Sequence, residues 1–427
     1  ENEMKTIEPM HQEELQKQRH AYEAMKHEFI EKEKNYNKLV KLLEEKNATL
    51  GRYCQKLIRD KKKQGNNEPF LSSWFSAFTF DLFRSAKMVK AFDGHSGYVN
   101  SIQFSPFDNS RSLCSCSDDA TIRVWDVGTF KQMKTIHGHS DKVYCVKFSL
   151  YHRNYQHRTI ICSAANDKTI RFWDLETEKE FHIFREHEDG VCSIQFSLFS
   201  SGKYLCSASK DQTIRLWDIE TAKPLCILSG HTKGVCCVEF SPPQNNHGKD
   251  NGNIELIGGA GYTICSGSSD KTVRLWDVET NKELLVFRGH ECTVNSVKYS
   301  SSGGNIICSG SDDKTVRLWD IRLKQEILVL KGHTNCVSCI EYSPFETTNN
   351  ESNVIADSTV ICSASFDNTV RFWDVRTHKQ LHEIRNNSPI LCLAFSQLKE
   401  KKDCNDNAGC GYTLCYGSSK GSICLWE

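Results

Sequence analysis

The chain lacks an excess of charge of either sign. Its 427 residues include 54 Lys and Arg and 54 Asp and Glu, so the formal net charge is zero. Binding to nucleic acid or to an anionic membrane depends largely on positive charge, and the bulk composition offers none in excess. No apolar run reaches the roughly 20 residues that a membrane-spanning helix needs. We therefore expect neither a nucleic-acid partner nor a membrane partner.

The sequence also lacks the motifs that typically mark enzymes. It contains no phosphate-binding loop, no HExxH zinc motif and no nucleophile elbow. We therefore predict a non-catalytic protein with no cofactor and no metal.

Cysteine, by contrast, is abundant, with 21 residues. Most recur at equivalent repeat positions on two strands, which is typical of small buried apolar side chains. They are Cys114, Cys162, Cys206, Cys265, Cys308, Cys362 and Cys415 on one strand, and Cys145, Cys192, Cys236, Cys339 and Cys392 on the other. The CxxC at Cys336–Cys339 has no second ligand pair. We interpret the cysteines as structural thiols of an intracellular protein, cytoplasmic or nuclear, with disulfides or zinc as the alternative.

Residues 1–63 are rich in Glu, Lys and Gln and carry a heptad pattern. In the register that begins at Tyr22 and runs to Asp60, nine of the twelve a and d positions are apolar or aromatic. This pattern predicts a helical coiled coil, and a long helix needs a partner to bury its apolar face. We expect a homodimer through residues 15–60. The alternative is a solvated helix, or one that folds back on the rest of the chain.

Seven of the eight tryptophans occur in one recurring phrase, which reads TIRVWD in its first copy. In the first six copies an Asp lies six residues before the Trp, and a Gly-His pair or its Glu-His variant opens each of these repeats. Each repeat of about 45 residues carries four short strand signals, as in Val99–Phe104, Leu113–Asp119, Thr121–Trp125 and Gln132–Ile136. The repetition indicates one array of similar four-stranded units.

This pattern resembles the WD40-repeat β-propeller family over residues 85–427. The resemblance implies an all-β fold, a seven-bladed WD40 β-propeller, preceded by the N-terminal α-helical coiled-coil segment. The seventh repeat stops at Glu427, directly after its third strand. We expect residues 86–92 to supply the missing strand and to close the ring, because closure removes an open sheet edge. The predicted domains are therefore 1–63, a linker and aromatic segment at 64–84, and the propeller at 85–427.

The aromatic segment has six aromatic residues between Phe70 and Phe83. Exposing so many rings would be unfavourable. We interpret this segment as one that packs against the propeller rim, with docking to a partner as the alternative.

The resemblance also implies a buried hydrogen-bonded network of His, Ser, Asp and Trp within each blade. Buried indole and imidazole groups need such partners. The structural residues predicted on this basis are His95, Asp119, Trp125, His139, Asp167, Trp173, His187, Asp211, Trp217, His231, Asp270, Trp276, His290, Asp313, Trp319, His333, Asp367, Trp373 and Trp426. The seventh repeat departs from the pattern at Lys420 and at Asn386-Asn387, so we expect no network there. An Arg two residues before each of the first six Trp is interpreted as pairing within its sheet.

In this family, the face that carries the short Gly-His loops is a common site for gripping peptides. On this chain the corresponding positions vary between repeats, as a binding surface on a uniform scaffold should. We predict partner binding at Tyr98, Asn100, Asp118, Lys142, Tyr144, Asn166, Lys210, Ser269, Asn295, Asp312, Ser338 and Phe366. Inserts at 150–158, 242–261, 345–358 and 397–411 are expected to form mobile surface loops on the opposite face.

These features together predict a non-catalytic scaffold or adaptor that binds protein segments and dimerises through its N-terminal helix. Doubling a weak site increases avidity through effective concentration. Two alternatives remain open: a substrate receptor of a ubiquitin ligase complex, or a coiled-coil and WD regulator of transcription or of a microtubule motor.

Overall fold

The computed structural model of the protein describes residues 87–242, 262–300, 304–344, 360–397 and 412–427. Within these ranges the chain forms 28 strands arranged as seven four-stranded antiparallel sheets. Each sheet is one blade, so the predicted all-β seven-bladed propeller is confirmed. The predicted coiled coil at 1–63 and the segment at 64–84 lie outside the described residues.

The strands follow one another from the centre of the ring to its rim within each blade. Blades one to three consist of β2 (Val99–Phe104), β3 (Ser112–Ser117), β4 (Ile122–Asp126), β5 (Lys131–Ile136); β6 (Val143–Phe148), β7 (Ile160–Ala165), β8 (Ile170–Asp174), β9 (Glu180–Phe184); and β10 (Val191–Phe196), β11 (Tyr204–Ser209), β12 (Thr213–Asp218), β13 (Lys223–Ser229).

Blades four to six consist of β14 (Val235–Phe240), β15 (Thr263–Ser268), β16 (Thr272–Asp277), β17 (Glu283–Arg288); β18 (Val294–Tyr299), β19 (Ile306–Ser311), β20 (Thr315–Asp320), β21 (Gln325–Lys331); and β22 (Val337–Tyr342), β23 (Val360–Ser365), β24 (Thr369–Asp374), β25 (Lys379–Arg385). Blade seven consists of β26 (Ile390–Gln397), β27 (Tyr412–Ser418), β28 (Ile423–Trp426) and β1 (Met88–Phe92).

The second and third strands of every blade meet in a tight turn with one residue in the left-handed backbone region. In the first blade this residue is Ala120 (φ 63°), and in the seventh it is Gly421 (φ 86°). A Cβ atom on Gly421 would lie 2.0 Å from the carbonyl oxygen of His95 in blade one. Only glycine fits there, because both the backbone angle and the close approach disfavour a side chain.

The hydrophobic core is divided among the interfaces between neighbouring blades. The β4 tryptophan, Trp125, packs with residues of blade seven, and Trp217 packs with residues of blade two. Trp217 stacks on Phe184 with ring centroids 4.6 Å apart. Each blade therefore buries its tryptophan against the preceding blade, and neither blade of a pair has a complete core without the other.

Ring closure is visible in blade seven, where β1 pairs with β28. Ala91 lies opposite Cys424 and Phe92 opposite Ile423 in the antiparallel register. Beyond the strands, the backbone N–H of Lys87 donates to the carbonyl of Glu427 at 2.9 Å. The segment nearest the start of the described chain therefore completes the sheet that the last residues begin.

One of the four inserts differs from its prediction. Residues 150–158 were expected to form a mobile loop, yet Leu150–Gln156 form helix α1, which ends at His157 in the left-handed region. Tyr151 and His152 of this helix are buried. The mobile-loop prediction was wrong here because it relied on length variation between repeats, and two buried aromatic side chains anchor this insert. The other three inserts lie largely outside the described residues.

Candidate protein-binding face

In each of the first six blades four side chains form one hydrogen-bonded chain. In blade one, the Trp125 Nε1–H donates to Ser115 Oγ at 2.8 Å, and Ser115 Oγ lies 2.8 Å from His95 Nε2. His95 Nδ1 lies 2.9 Å from Asp119 Oδ2. The same contacts recur in blades two to six, where the His–Asp distances are 2.7–2.8 Å. We call each set a tetrad. Thr121, which donates to Asp119 at 2.6 Å, was not part of the prediction.

The electrostatics of the tetrad favour a neutral imidazole and an ionised carboxylate. Burial lowers the pKa of His95, which outweighs the opposing effect of Asp119. Burial alone would raise the pKa of Asp119, but hydrogen bonds from Thr121 and His95 lower it to about 2. A neutral imidazole that donates from Nδ1 to the carboxylate can accept from the serine at Nε2.

The tetrad contains a Ser, a His and an Asp in hydrogen-bonding order, as in a hydrolase triad. Ser115 is nevertheless fully buried, with an exposed fraction of 0%, and its oxygen already accepts the indole N–H of Trp125. A nucleophile needs access to substrate and a spare position for the reacting atom. The tetrads therefore have the geometry of structural supports.

Blade seven has a different interior. Leu414 faces Trp426 just as Leu113 faces Trp125, and two residues further along the strand stands Tyr416 in place of Ser115. Tyr416 is 1% exposed and belongs to the core between blades six and seven. A large aromatic ring therefore fills the space that the small serine and its histidine occupy elsewhere.

The arginines before the tryptophans pair within their own sheets in most blades. Arg171 donates to Glu180 at 2.8 Å and Arg317 donates to Glu326 at 2.6 Å, in each case to the residue seven positions after the Trp. In blade three that position holds Pro224, which cannot accept, and the Nε of Arg215 is buried without a hydrogen-bond partner. The predicted pairing thus fails in blade three for a reason visible in the sequence.

The loops before the inner strands and the loops before the tetrad Asp lie at one end of every blade. A backbone hydrogen bond joins them, from Asp118 N to the carbonyl of Tyr98 at 2.9 Å in blade one and from Phe366 N to that of Cys336 at 2.9 Å in blade six. We call this end of the ring the Gly-His face. The predicted binding residues all lie on it.

Two polar clusters occupy the Gly-His face over blades one to three. In the first, Asn100 donates to Asp118 at 2.8 Å, and Lys142 of the next blade donates to the other oxygen of Asp118 at 2.7 Å. The hydrogen bond to Asp118 raises the pKa of Lys142. The ion pair therefore joins blades one and two, and the lysine remains half exposed.

The second cluster joins blades two and three around Lys210. Its ammonium donates to Tyr144 Oη at 2.9 Å and to Asn166 Oδ1 at 2.8 Å, and it lies 4.7 Å from the centroid of the Tyr144 ring. Asn166 in turn donates to Asp141 at 2.5 Å. Burial opposes the charge of Lys210, but the Tyr144 hydroxyl outweighs it, so the pKa of Lys210 is raised. Residues 66 positions apart in the chain thus form one charged patch.

The face over blades four to six carries fewer charges. Asn295 donates to Asp312 at 2.7 Å and to the carbonyl of Val337 at 3.0 Å. Ser338 donates to the carbonyl of Ile390 at 2.6 Å. Ser269 and Phe366 are half-buried, and Tyr98, back in blade one, is 44% exposed. The structure therefore gathers six of the predicted residues into two clusters and spreads the others around the rim of the central channel.

The described cysteines are all unpaired thiols, and the inner and second strands hold most of them. Burial raises the pKa of Cys339 to about 11. Across the described ranges, no three His, Cys, Asp or Glu side chains are grouped as a metal site. No helix among the residues with a described structure is long and apolar enough to cross a membrane.

Comparison with known proteins gives a family match and several short relatives. The WD40 family, described as "WD domain, G-beta repeat", matches residues 86–126, 130–174, 178–218, 222–277, 281–320 and 324–374. A ribosome biogenesis protein WDR12 homolog of Nematostella vectensis is 41% identical over 56 residues, 13% of each chain. Protein TOPLESS-RELATED PROTEIN 2 of Oryza sativa subsp. japonica is 36% identical over 69 residues, 16% of this chain and 6% of that protein.

A probable E3 ubiquitin ligase complex SCF subunit sconB of Aspergillus clavatus is 44% identical over 50 residues, 12% of this chain and 7% of the relative. The aligned stretches thus span only 6–13% of these three relatives' length, little more than one repeat, and carry no information about a shared activity. The family match, by contrast, covers six repeats, and the seven closed blades agree with it. The chain belongs to the WD40-repeat family.

Proposed function

We propose that this protein is a non-catalytic interaction scaffold that binds peptide segments of other proteins on the Gly-His face. The observation that carries the proposal is the contrast between the buried tetrads, which repeat from blade to blade, and the face above them, which does not repeat. A charged patch around Lys210 and Lys142 lies beside the exposed ring of Tyr98 on this face. Such a mixture of aromatic, cationic and hydrogen-bonding groups suits a peptide with an apolar anchor and acidic residues.

Dimerisation through residues 15–60 is the second part of the proposal and rests on the heptad pattern alone. Two weak faces on one dimer would bind a multivalent partner more tightly than either face does. Mass measurement in solution of the full chain and of a variant with Leu39, Leu43 and Leu50 changed to Glu tests this part. A dimer that becomes a monomer supports it, and a wild-type monomer contradicts it.

The alternatives concern the process that the scaffold serves. The printed names of two relatives, an SCF subunit of an E3 ubiquitin ligase complex and a TOPLESS-related protein, agree with a ligase substrate receptor and with a regulator of transcription. A microtubule-motor regulator is the third alternative. Each uses a propeller face to bind protein segments, so the proposal for the face is common to all three.

The face is tested by selecting peptides from a random display library on the full chain and measuring their affinity for two variants. Tyr98→Ala with Lys210→Glu alters the face, whereas Met133→Ala with Leu323→Ala alters exposed residues on the outer strands or their turns. We expect the face variant to weaken binding at least about tenfold, roughly 1.4 kcal/mol, and the rim variant to leave it unchanged. The reverse result would place recognition elsewhere on the molecule.

A further inference from the structure

A second cavity lies on the opposite face of the ring, at the rim between blades two and three. It is bounded by helix α1, by β8 and β9 of blade two, and by the turn between β12 and β13 of blade three. Helix α1 belongs to the insert at 150–158, for which the sequence indicated no role. We call this cavity the rim pocket, and its argument here uses Tyr151, His152, Phe172, Phe181, His182 and Glu220.

Five aromatic rings line the rim pocket and stand at steep angles to one another. The His152 and Phe181 rings have centroids 5.3 Å apart with an interplanar angle of 77°, and the Tyr151 and His152 rings are 5.4 Å apart at 85°. Phe172 lies 5.8 Å from His152 on the inner side. Rings arranged in this way form adjoining walls of one space rather than a flat stack, so several π-systems can contact one enclosed group.

The two histidines in these walls are neutral at physiological pH. His152 is 4% exposed, its Nδ1 lies 2.8 Å from Ser149 Oγ, and burial lowers its pKa to about 4. Burial also lowers the pKa of His182. Both imidazoles therefore act as uncharged aromatic walls, and the carboxylate of Glu220 is the one formal charge among the pocket residues.

The charged groups around the pocket also sum to a negative value. Arg158 donates to Asp174 at 2.9 Å, and Lys203 lies 2.5 Å from Glu220 and 3.7 Å from Asp218. These are two cations and three carboxylates, which gives a net charge of −1. Phe181 is already in contact with one cation, because the guanidinium carbon of Arg158 lies 5.1 Å from the centroid of its ring. The surroundings therefore complement one additional positive charge.

We propose that the rim pocket binds the methylated ammonium group of a lysine side chain on a partner protein. Aromatic rings attract cations through their quadrupole, and the attraction is strongest when the cation has little hydration to lose. An unmodified ammonium is strongly hydrated and needs several hydrogen-bond acceptors when it is buried. The pocket offers one carboxylate, which Lys203 shares, and otherwise ring surfaces that suit methyl groups.

The proposal is independent of the Gly-His face, because the two sites lie at opposite ends of the blades. Residues of α1 and of the turn after β12 form one, and the loops before the inner strands form the other. A single protein could therefore hold a peptide segment on one face and a methylated lysine on the other.

The first experiment compares three peptide pools on the full chain. The pools share randomised flanks and differ at one central residue, which is lysine, trimethyllysine or the neutral tert-butyl analogue of trimethyllysine. We expect enrichment of trimethyllysine peptides, which bind at least about tenfold more tightly than their lysine and neutral counterparts. Equal binding of the neutral analogue would show an apolar pocket only, and the absence of any enriched trimethyllysine peptide would also overturn the proposal.

Variants then assign the binding to the rim pocket. Phe181 is 39% exposed, so Phe181→Ala removes one wall without opening the core, while Phe181→Tyr keeps the ring. We expect the alanine variant to lose the preference for trimethyllysine and the tyrosine variant to retain it. Met133→Ala, at a 52% exposed position on the rim of blade one, is the matched control and should change nothing.

Two further comparisons separate this proposal from that for the Gly-His face. Tyr98→Ala with Lys210→Glu should leave trimethyllysine binding unchanged, whereas Phe181→Ala should leave binding of the face-selected peptides unchanged. If trimethyllysine binding is instead lost with the face variant and survives Phe181→Ala, the rim pocket is not its site.

Discussion

The first six blades and the seventh hold their second and third strands together by different means. In the first six, a buried chain of hydrogen bonds runs from the tryptophan through a serine and a histidine to an aspartate. In the seventh, Tyr416 fills the corresponding space, and β1 from the other end of the propeller completes the sheet. The comparison shows that a blade of this protein needs a filled interior and four paired strands, and that the polar chain is one of two ways to obtain the first.

The largest expected effect comes from breaking the feature that belongs to blade seven alone. Deleting residues 84–93 removes no tryptophan repeat but leaves β28 as an open edge and uncovers the core that contains Phe92. We expect the loss of cooperative thermal unfolding and of a folded circular dichroism spectrum. The control is Met88→Thr with Val89→Thr, at exposed positions of the same strand, which should melt as the wild type does. A normal melting transition in the deletion variant would contradict the closure argument.

A second prediction concerns the tight turn of blade seven. Gly421→Ala places a Cβ 2.0 Å from the carbonyl oxygen of His95, at a φ of 86°. We expect destabilisation of about 3 kcal/mol, since the contact is with backbone and cannot be relieved by a side-chain rotation. Blade one already has Ala120 at this position of its turn, and Lys271→Ala in blade four should therefore change stability by less than about 0.5 kcal/mol. Urea denaturation of the three proteins measures both values.

A third prediction compares the two interiors directly. Ser207→Ala leaves His187 Nε2 and the Trp217 N–H without the oxygen that lies 2.7 and 2.9 Å from them. Two buried polar groups that lose a partner should cost about 2–3 kcal/mol of unfolding free energy. Tyr416→Phe in blade seven keeps the ring and should cost under about 1 kcal/mol. Similar losses for both, by urea denaturation, would mean that the hydroxyl of Tyr416 has the same role as the serine.

A fourth prediction follows from the aspartate of the tetrad. The pKa of Asp119 is about 2 in the folded protein, below its value near 3.9 in an unfolded chain. A lowered carboxylate pKa contributes stability that is present above about pH 4 and is lost as the pH falls towards 2. Asp119→Asn should therefore lose about 2 kcal/mol at pH 7 and show a flatter decline between pH 4 and 2.

The control for this prediction is Lys420→Asn, at the same position of blade seven. No tetrad is present there, so stability and its acid dependence should match the wild type. Denaturant unfolding at several pH values provides the measurement. An unchanged acid profile for Asp119→Asn would show that its carboxylate does not drive acid sensitivity.

The smallest expected effect concerns blade three, where Arg215 lacks the acceptor that other blades provide. Pro224→Glu introduces the residue found at this position in blades two, four and five. We expect a gain of about 0.5 kcal/mol, because a partly exposed ion pair contributes little. Pro224→Ala, which removes the ring without adding an acceptor, separates the ion pair from the loss of proline. A gain of the same size with alanine would assign the effect to the backbone.

The sequence predicts those parts of the molecule that repeat. The spacing of Trp, His and Asp led to the tetrads, and the missing strand after Glu427 led to the pairing that β1 makes with β28. Both depend on contacts whose register is fixed by the repeat, so one blade predicts the next. The absence of an acceptor for Arg215 could also have been read from Pro224.

The parts that do not repeat were beyond the sequence. The Lys210 cluster joins residues from two blades, and its geometry depends on how those blades pack. Helix α1 has no counterpart in the other blades, so no register predicts that His152 lies against Phe172 and Phe181. The role of Tyr416 also became visible only through strand pairing, because its position matters relative to Leu414 and Trp426. Each of these depends on tertiary contacts that occur once.

The pairing of β1 with β28 also has a mechanical consequence. The two strands are antiparallel, and Lys87 and Glu427 meet at the same end of the pair. A pulling force applied at these two residues would load the backbone hydrogen bonds one after another rather than all together. The ring is therefore expected to open under tension by unzipping at this seam, while the other six blades carry no load until it has parted.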